Sequence, residues 1–126
     1  MGRMIFPHLP VKDVAASRAF WTRLGFTFDE DFCSGDAACL VINDLANVML
    51  LREDFFHAFH DTRPHTGTET TICLTATGRE DVDRLCSLAG EAGAQVTGRL
   101  DEPPMYGGSF GDPDGHIWEV LWMETS

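Results

Sequence analysis

The chain has 126 residues, 44% hydrophobic and 23% charged, enough for one globular domain that buries roughly two-thirds of its unfolded surface. Twenty acidic against nine basic residues leave a net charge of −11, which repels phosphate backbones and argues against nucleic acid as a partner. No apolar run reaches membrane-span length, and the N-terminus lacks a basic-then-apolar signal layout. The expected compartment is therefore the cytoplasm, with no membrane partner.

Residues 4–9 form a short apolar run that reads as a strand. Asp13 reads as a helix N-cap, and Val14, Ser17, Phe20, Trp21 and Leu24 recur at helical spacing until Gly25 stops them. Residues 26–32 alternate apolar and polar side chains, as a half-buried strand does. Residues 37–42 and 47–51 are two further strands, joined by a turn at Asn43 and Asp44. Residues 53–60 read as a short helix carrying Phe55, Phe56 and Phe59, and a polar loop through Arg63, Pro64 and Gly67 follows.

The order then starts again. Residues 70–76 read as a strand, and residues 81–92 as a helix with Val82, Leu85, Cys86 and Ala89 on one face, closed by Gly93. Residues 94–100, 105–110 and 116–123 are the last three strands. Asp13 stands as far from Gly25 as Asp81 stands from Gly93. Such a repeat constrains the fold more than any single element. It predicts an α+β chain of two βαβββ modules with mixed sheets, module one about 1–62 and module two about 67–126. The four cysteines, Cys33, Cys39, Cys73 and Cys86, lie in or beside apolar segments without CxxC spacing, so they read as buried, reduced thiols.

Two stretches carry a family likeness. The first is 9-LPVKDVAASRAFWTRLGF-26, and the second, 110-FGDPDGHIWEV-120, holds an Asp-Pro-Asp-Gly turn before the final strand. At the two ends of a duplicated pattern, they resemble the vicinal oxygen chelate superfamily, which includes glyoxalase I, extradiol dioxygenases, fosfomycin-resistance enzymes and bleomycin-resistance proteins. The stretches 38-ACLVINDLANVMLL-51 and 105-MYGGSFGDPDGHIWEVLWM-123 are similar to a bacterial subgroup labelled predicted lactoylglutathione lyases. A shared fold does not transfer a reaction.

The resemblance implies that the modules enclose a cleft, with metal ligands on the first and last strand of each. Carried over, the four positions fall on Phe6, Leu50, Thr71 and Glu119. Phe and Leu cannot coordinate an ion, and a Thr hydroxyl is a poor ligand. Three protein ligands plus an open position are what a catalytic divalent ion needs. The expected cleft is therefore free of metal, with Glu119 the ligand if zinc, nickel, manganese or iron does bind. His8, two residues from Phe6, His57 and His60 are the available substitute donors.

On the last strand, alternation turns Ile117, Glu119 and Leu121 to one face and Trp118, Val120 and Trp122 to the other. Glu119 is the candidate catalytic group, with His8 as its acid/base partner. An acid there is equally able to anchor an amine, or to be satisfied by local hydrogen bonds or an Arg of a partner chain. Phe6, Leu50, Thr71, Cys73, Thr75 and Tyr106 are the expected cleft lining. Mostly apolar with a few hydroxyls, this set suits a small organic molecule.

These observations point to a homodimeric domain binding a small organic ligand. The alternatives are a metal-dependent lyase or isomerase of the glyoxalase I kind, a metal-independent acid/base catalyst, and sequestration of a cationic drug-like compound.

Overall fold

A computed structural model describes residues 4–58 and 70–124. Contacts divide the chain into two compact units, Met1–Pro64 and His65–Ser126. Phe59, His60 and the loop through Arg63, Pro64, His65 and Gly67 lie outside the described residues.

In the first unit, β1 (His8–Val11) leads into α1 (Val14–Arg23). Asp13 caps α1, its carboxylate accepting from the Ala16 N–H at 3.1 Å, and Gly25 ends it in the left-handed region at φ +94°. The sheet continues through β2 (Thr27–Phe28), β3 (Ala37–Val41) and β4 (Asn47–Arg52), and the five-residue α2 (Glu53–His57) follows. The strand order is β1-β4-β3-β2, with β1 parallel to β4 and the other pairs antiparallel.

The alternating stretch 26–32 is a strand only at Thr27 and Phe28. Asp29 accepts from the Asp31 N–H and caps a 3-10 turn at Glu30–Phe32, a local bond that competes with the ladder. The turn at Asn43 forms as expected, its side-chain oxygen accepting from the Leu45 and Ala46 N–H groups at 2.8 and 2.9 Å.

The second unit repeats the order with β5 (Ile72–Thr75), α3 (Arg79–Glu91), β6 (Gln95–Glu102), β7 (Met105–Gly111) and β8 (Ile117–Met123). The strand order is β5-β8-β7-β6, again with one parallel pair, β5 with β8. Val82, Leu85, Cys86 and Ala89 are buried, as their spacing predicts, and Gly93 ends the helix at φ +93°. The helix starts earlier at Arg79, and Asp81 in its first turn accepts from the Thr77 N–H at 3.0 Å.

All four cysteines are free thiols, but only Cys39 and Cys86 are buried; Cys33 is half-buried and Cys73 exposed. No helix among the described residues is long and apolar enough to cross a membrane.

Candidate functional site

The turn at residues 112–115 orients the strand that carries Glu119. Asp112 is buried, and its Oδ1 accepts from the Asp114 and His116 N–H groups at 2.9 Å each. Its Oδ2 accepts from the Trp118 indole N–H at 3.0 Å. Gly115 takes φ +83°, so the chain reverses tightly. Burial pushes the Asp112 carboxyl above the usual carboxylate range, against the opposing pull of the Trp118 donor.

Pairing across this turn decides which side chains share a face. Phe110, Gly108 and Tyr106 stand opposite Trp118, Val120 and Trp122. A methyl group added at Gly108 would lie 2.6 Å from the Cys86 Sγ of α3, so this is the face that the helix covers. Ile117, Glu119 and Leu121 take the other, open face, as alternation predicts.

One polar row crosses the open face. Cys73 of β5 is the register partner of Glu119, Glu119 is opposite Ser109, and Ser109 is opposite Gly98. At the bulge beside Gly98, Thr97 lies with its hydroxyl 3.1 Å from that of Ser109. A neighbouring row is apolar, with Leu100 and Leu121 flanking the bare backbone of Gly107. Residues 98–100, 107–109 and 119–121 line a shallow hollow of about 170 Å³; Arg99 is among them, but its guanidinium bonds to Asp83 and Tyr106 on the covered side. Glu119 is exposed there, and among the described residues nothing donates a hydrogen bond or a positive charge to it. The Cys73 thiol, though on an exposed residue, is pushed up by partial desolvation and by the Glu119 carboxylate, the reverse of what a nucleophile needs.

Two of the expected lining residues lie elsewhere. Tyr106 is on the helix-covered face, only 6% exposed, and its hydroxyl donates to Asp83 of α3 at 2.6 Å while accepting from Arg99. Its cross-strand partner Trp122 holds it there. Leu50 has no exposure and pairs with Leu9 and Ala38, sharing a face with Val11, Leu40 and Val48 in the apolar core under α1. In register it is Met49 that stands beside His8. Matching Leu50 to Glu119 was one residue out, and one residue changes the face.

Phe6, His8 and Thr71 lie at exposed positions. Phe6 is 42% exposed. Backbone bonds from Asn47 to Ile5 and from Met49 to Pro7 extend the pairing past it, so Phe6 alternates in step with His8, which is exposed at the start of β1. Thr71 is exposed just before β5, in step with Cys73 and Thr75.

The donor chemistry does not fit the divalent ion that the resemblance implies. In the first unit the side chains around His8 are Phe6, Met49 and Leu51, and in the second Glu119 has only a thiol and a hydroxyl beside it. Among the described residues no three His, Cys, Asp or Glu side chains group around a common point. His57, at the end of α2, is exposed.

Ser109 and Thr97 were missed by sequence reasoning, although Ser109 carried a signal: it and Glu119 are equidistant from Asp114 at the centre of the turn. A two-armed hairpin places such residues opposite each other.

No protein of curated function matches the chain. Among solved structures, a hypothetical protein from S. aureus is 27% identical, with TM-score 0.82 over 97% of this chain and 94% of its own. A glyoxalase-related enzyme from Fulvimarina pelagi, 18% identical, superimposes with TM-score 0.83 over 97% of this chain and 88% of its own. A lactoylglutathione lyase from Agrobacterium tumefaciens, 17% identical, gives 0.73 over 97% and 94%. The last two show the fold alone. The family model that matches residues 4–120 spans both units and both motif stretches, and by it the chain belongs to the Glyoxalase/Bleomycin resistance protein/Dioxygenase superfamily.

Proposed function

We propose that the chain binds a small organic molecule in the hollow on the open face of its second sheet, with Glu119 as the anchoring group. One observation carries this reading: an exposed carboxylate with no partner among the described residues, in the middle of the strand Ile117–Met123, at the edge of a hollow lined by glycine, serine and leucine. A strand that packs only as scaffold gains nothing from a charge there, whereas a binding site needs a few placed polar groups on an apolar ground. The hollow is small beside drug-sized pockets of about 300–1,000 Å³, which favours a small ligand.

Recognition in this reading does not run through a metal, since the side chains at the family's positions do not make a ligand set. Acid/base work by Glu119 is the catalytic extension of the same proposal. Homodimer formation comes with it from the family likeness, and a cytoplasmic location from the reading of the cysteines as reduced thiols.

The test is a fragment library screened by NMR against the wild type and Glu119→Gln. Ligands should perturb residues 107–109 and 119–121, and the substitution should weaken them about tenfold, or 1.4 kcal/mol. Hits that ignore these residues, or that bind both proteins equally, would remove the proposal. Metal analysis of the purified protein is the companion measurement: stoichiometric zinc, nickel, manganese or iron, with a gain in melting temperature, would return the glyoxalase-type lyase to first place.

A further inference from the structure

We infer that the ligand class of this hollow is an amino alcohol: a protonated amine with a hydroxyl on the neighbouring carbon, attached to a flat apolar group. The inference rests on the function proposed above and narrows it.

Charge comes first. The open face of the second sheet carries Glu119 and, at the far end of β6, Glu102. Among its described residues no lysine or arginine stands on it; Arg99 belongs to the covered side, bonded to Asp83 and Tyr106. A ligand reaching Glu119 therefore meets one carboxylate and, among the described residues of this face, no cationic side chain. An anionic molecule is repelled there, whereas an ammonium adds the attraction of opposite charges to the hydrogen bond a neutral donor would make, at about 2.7–2.9 Å.

The neighbours of Glu119 supply the second feature. Ser109 lies directly opposite on β7, and opposed residues of antiparallel strands have Cα atoms about 4.5–5.5 Å apart. An amine held by Glu119 and a hydroxyl one carbon further on reach both strands at once. Ser109 has its hydroxyl placed for this. It sits over Gly98, where an added methyl would come within 2.7 Å of the Ser109 Oγ, and Thr97 holds it at 3.1 Å.

The third feature is the apolar row. Leu100 and Leu121 flank Gly107, and a Leu121 methyl leans over it, 3.2 Å from where a side chain at 107 would begin. An apolar ring packs on these two leucines beside the polar row, two residues further along the strands. Charge, hydroxyl and ring thus fall in one order across three strands.

The test uses three probes on the full chain by NMR titration: 2-amino-1-phenylethanol, 2-phenylethylamine and 1-phenylethanol. The amino alcohol should bind about fivefold tighter than the amine, and the amine tighter than the neutral alcohol. Ser109→Ala should bring the amino alcohol down to the level of the amine, and Glu119→Gln should bring both amines down to the level of the alcohol. Gly98→Ala, which displaces the Ser109 hydroxyl without deleting it, should repeat the serine effect, and thermal melts report whether each variant is folded.

Equal binding of amine and amino alcohol overturns this inference and leaves the proposed function standing. So does a library hit in the hollow when none of the three probes binds. An alcohol that matches the amines overturns the assignment of a cationic ligand. A library without any hit at the hollow removes the proposed function itself.

Discussion

The indole N–H of Trp118 donates to the Asp112 carboxylate at 3.0 Å, tying the last strand to the turn that precedes it. Both residues are buried, and the same carboxylate takes two backbone N–H groups of the turn. This single side chain aligns β7 with β8, and so places Ser109 opposite Glu119. Asp112→Ala should strand a buried indole donor and two turn amides, destabilising the chain by about 2–4 kcal/mol. Urea denaturation measures it, and a loss under about 0.5 kcal/mol would show that the turn holds without the carboxylate.

Gly108 is required by Cys86. A methyl at 108 would meet the Cys86 Sγ at 2.6 Å, so Gly108→Ala should cost about 1–3 kcal/mol through overpacking. Cys86→Ala in the same chain should recover a large part of that loss, because it vacates the space the methyl needs. Additive losses in the double variant would mean that the clash lies elsewhere.

Tyr106 belongs to the packing between α3 and the sheet. Its hydroxyl donates to Asp83, while the Arg79 and Arg99 guanidinium groups stand 4.7 and 5.4 Å from the centre of its ring. Tyr106→Phe should lower the melting temperature by a few degrees while leaving affinity at the hollow as it was. A change in affinity at constant stability would return Tyr106 to the ligand face.

Asp81 gives the acid limb of stability a defined sign. The Thr77 N–H, and after it Arg84, hold its carboxyl below the usual value of 3.8. A depressed folded value means that the unfolded chain binds the proton first. The contribution is therefore present above about pH 3.8 and is lost as the pH falls through the lowered value. Asp81→Ala should cost roughly 1 kcal/mol at neutral pH, as loss of a helix-start acceptor does, and progressively less in acid. A difference that stays constant down to pH 2 would contradict this assignment.

Much of the fold was legible because its signals are local. Asp13 caps α1, Gly25 and Gly93 take the positive φ at which both helices stop, and the 112–115 turn is where its residues require it. The spacing of Val82, Leu85, Cys86 and Ala89 marks a buried face without reference to anything distant. Strand parity within 116–123 was equally readable, and it separated Glu119 from Trp118 and Val120.

Pairing between strands was not. Whether Leu50 or Met49 stands beside His8 depends on register between segments distant in the chain, whereas the face of Tyr106 follows from the hairpin about Asp114 that also sets Ser109 opposite Glu119. A shift of one residue reverses every side chain, and no local propensity records it. The extent of β2 was lost for a related reason: alternation promised a strand to Phe32, but the Asp29 carboxylate offered the backbone a nearer partner.

The amino-acid order alone determined the duplicated βαβββ pattern, the two helix ends and the carboxylate in an apolar strand, since each rests on contacts within a few residues. Only the tertiary structure decided what surrounds that carboxylate: a thiol on one side, a serine on the other and a leucine-covered glycine beside them. Those neighbours come from two other strands, and the parallel pairing that brings Cys73 to Glu119 joins segments whose register the linear sequence does not carry.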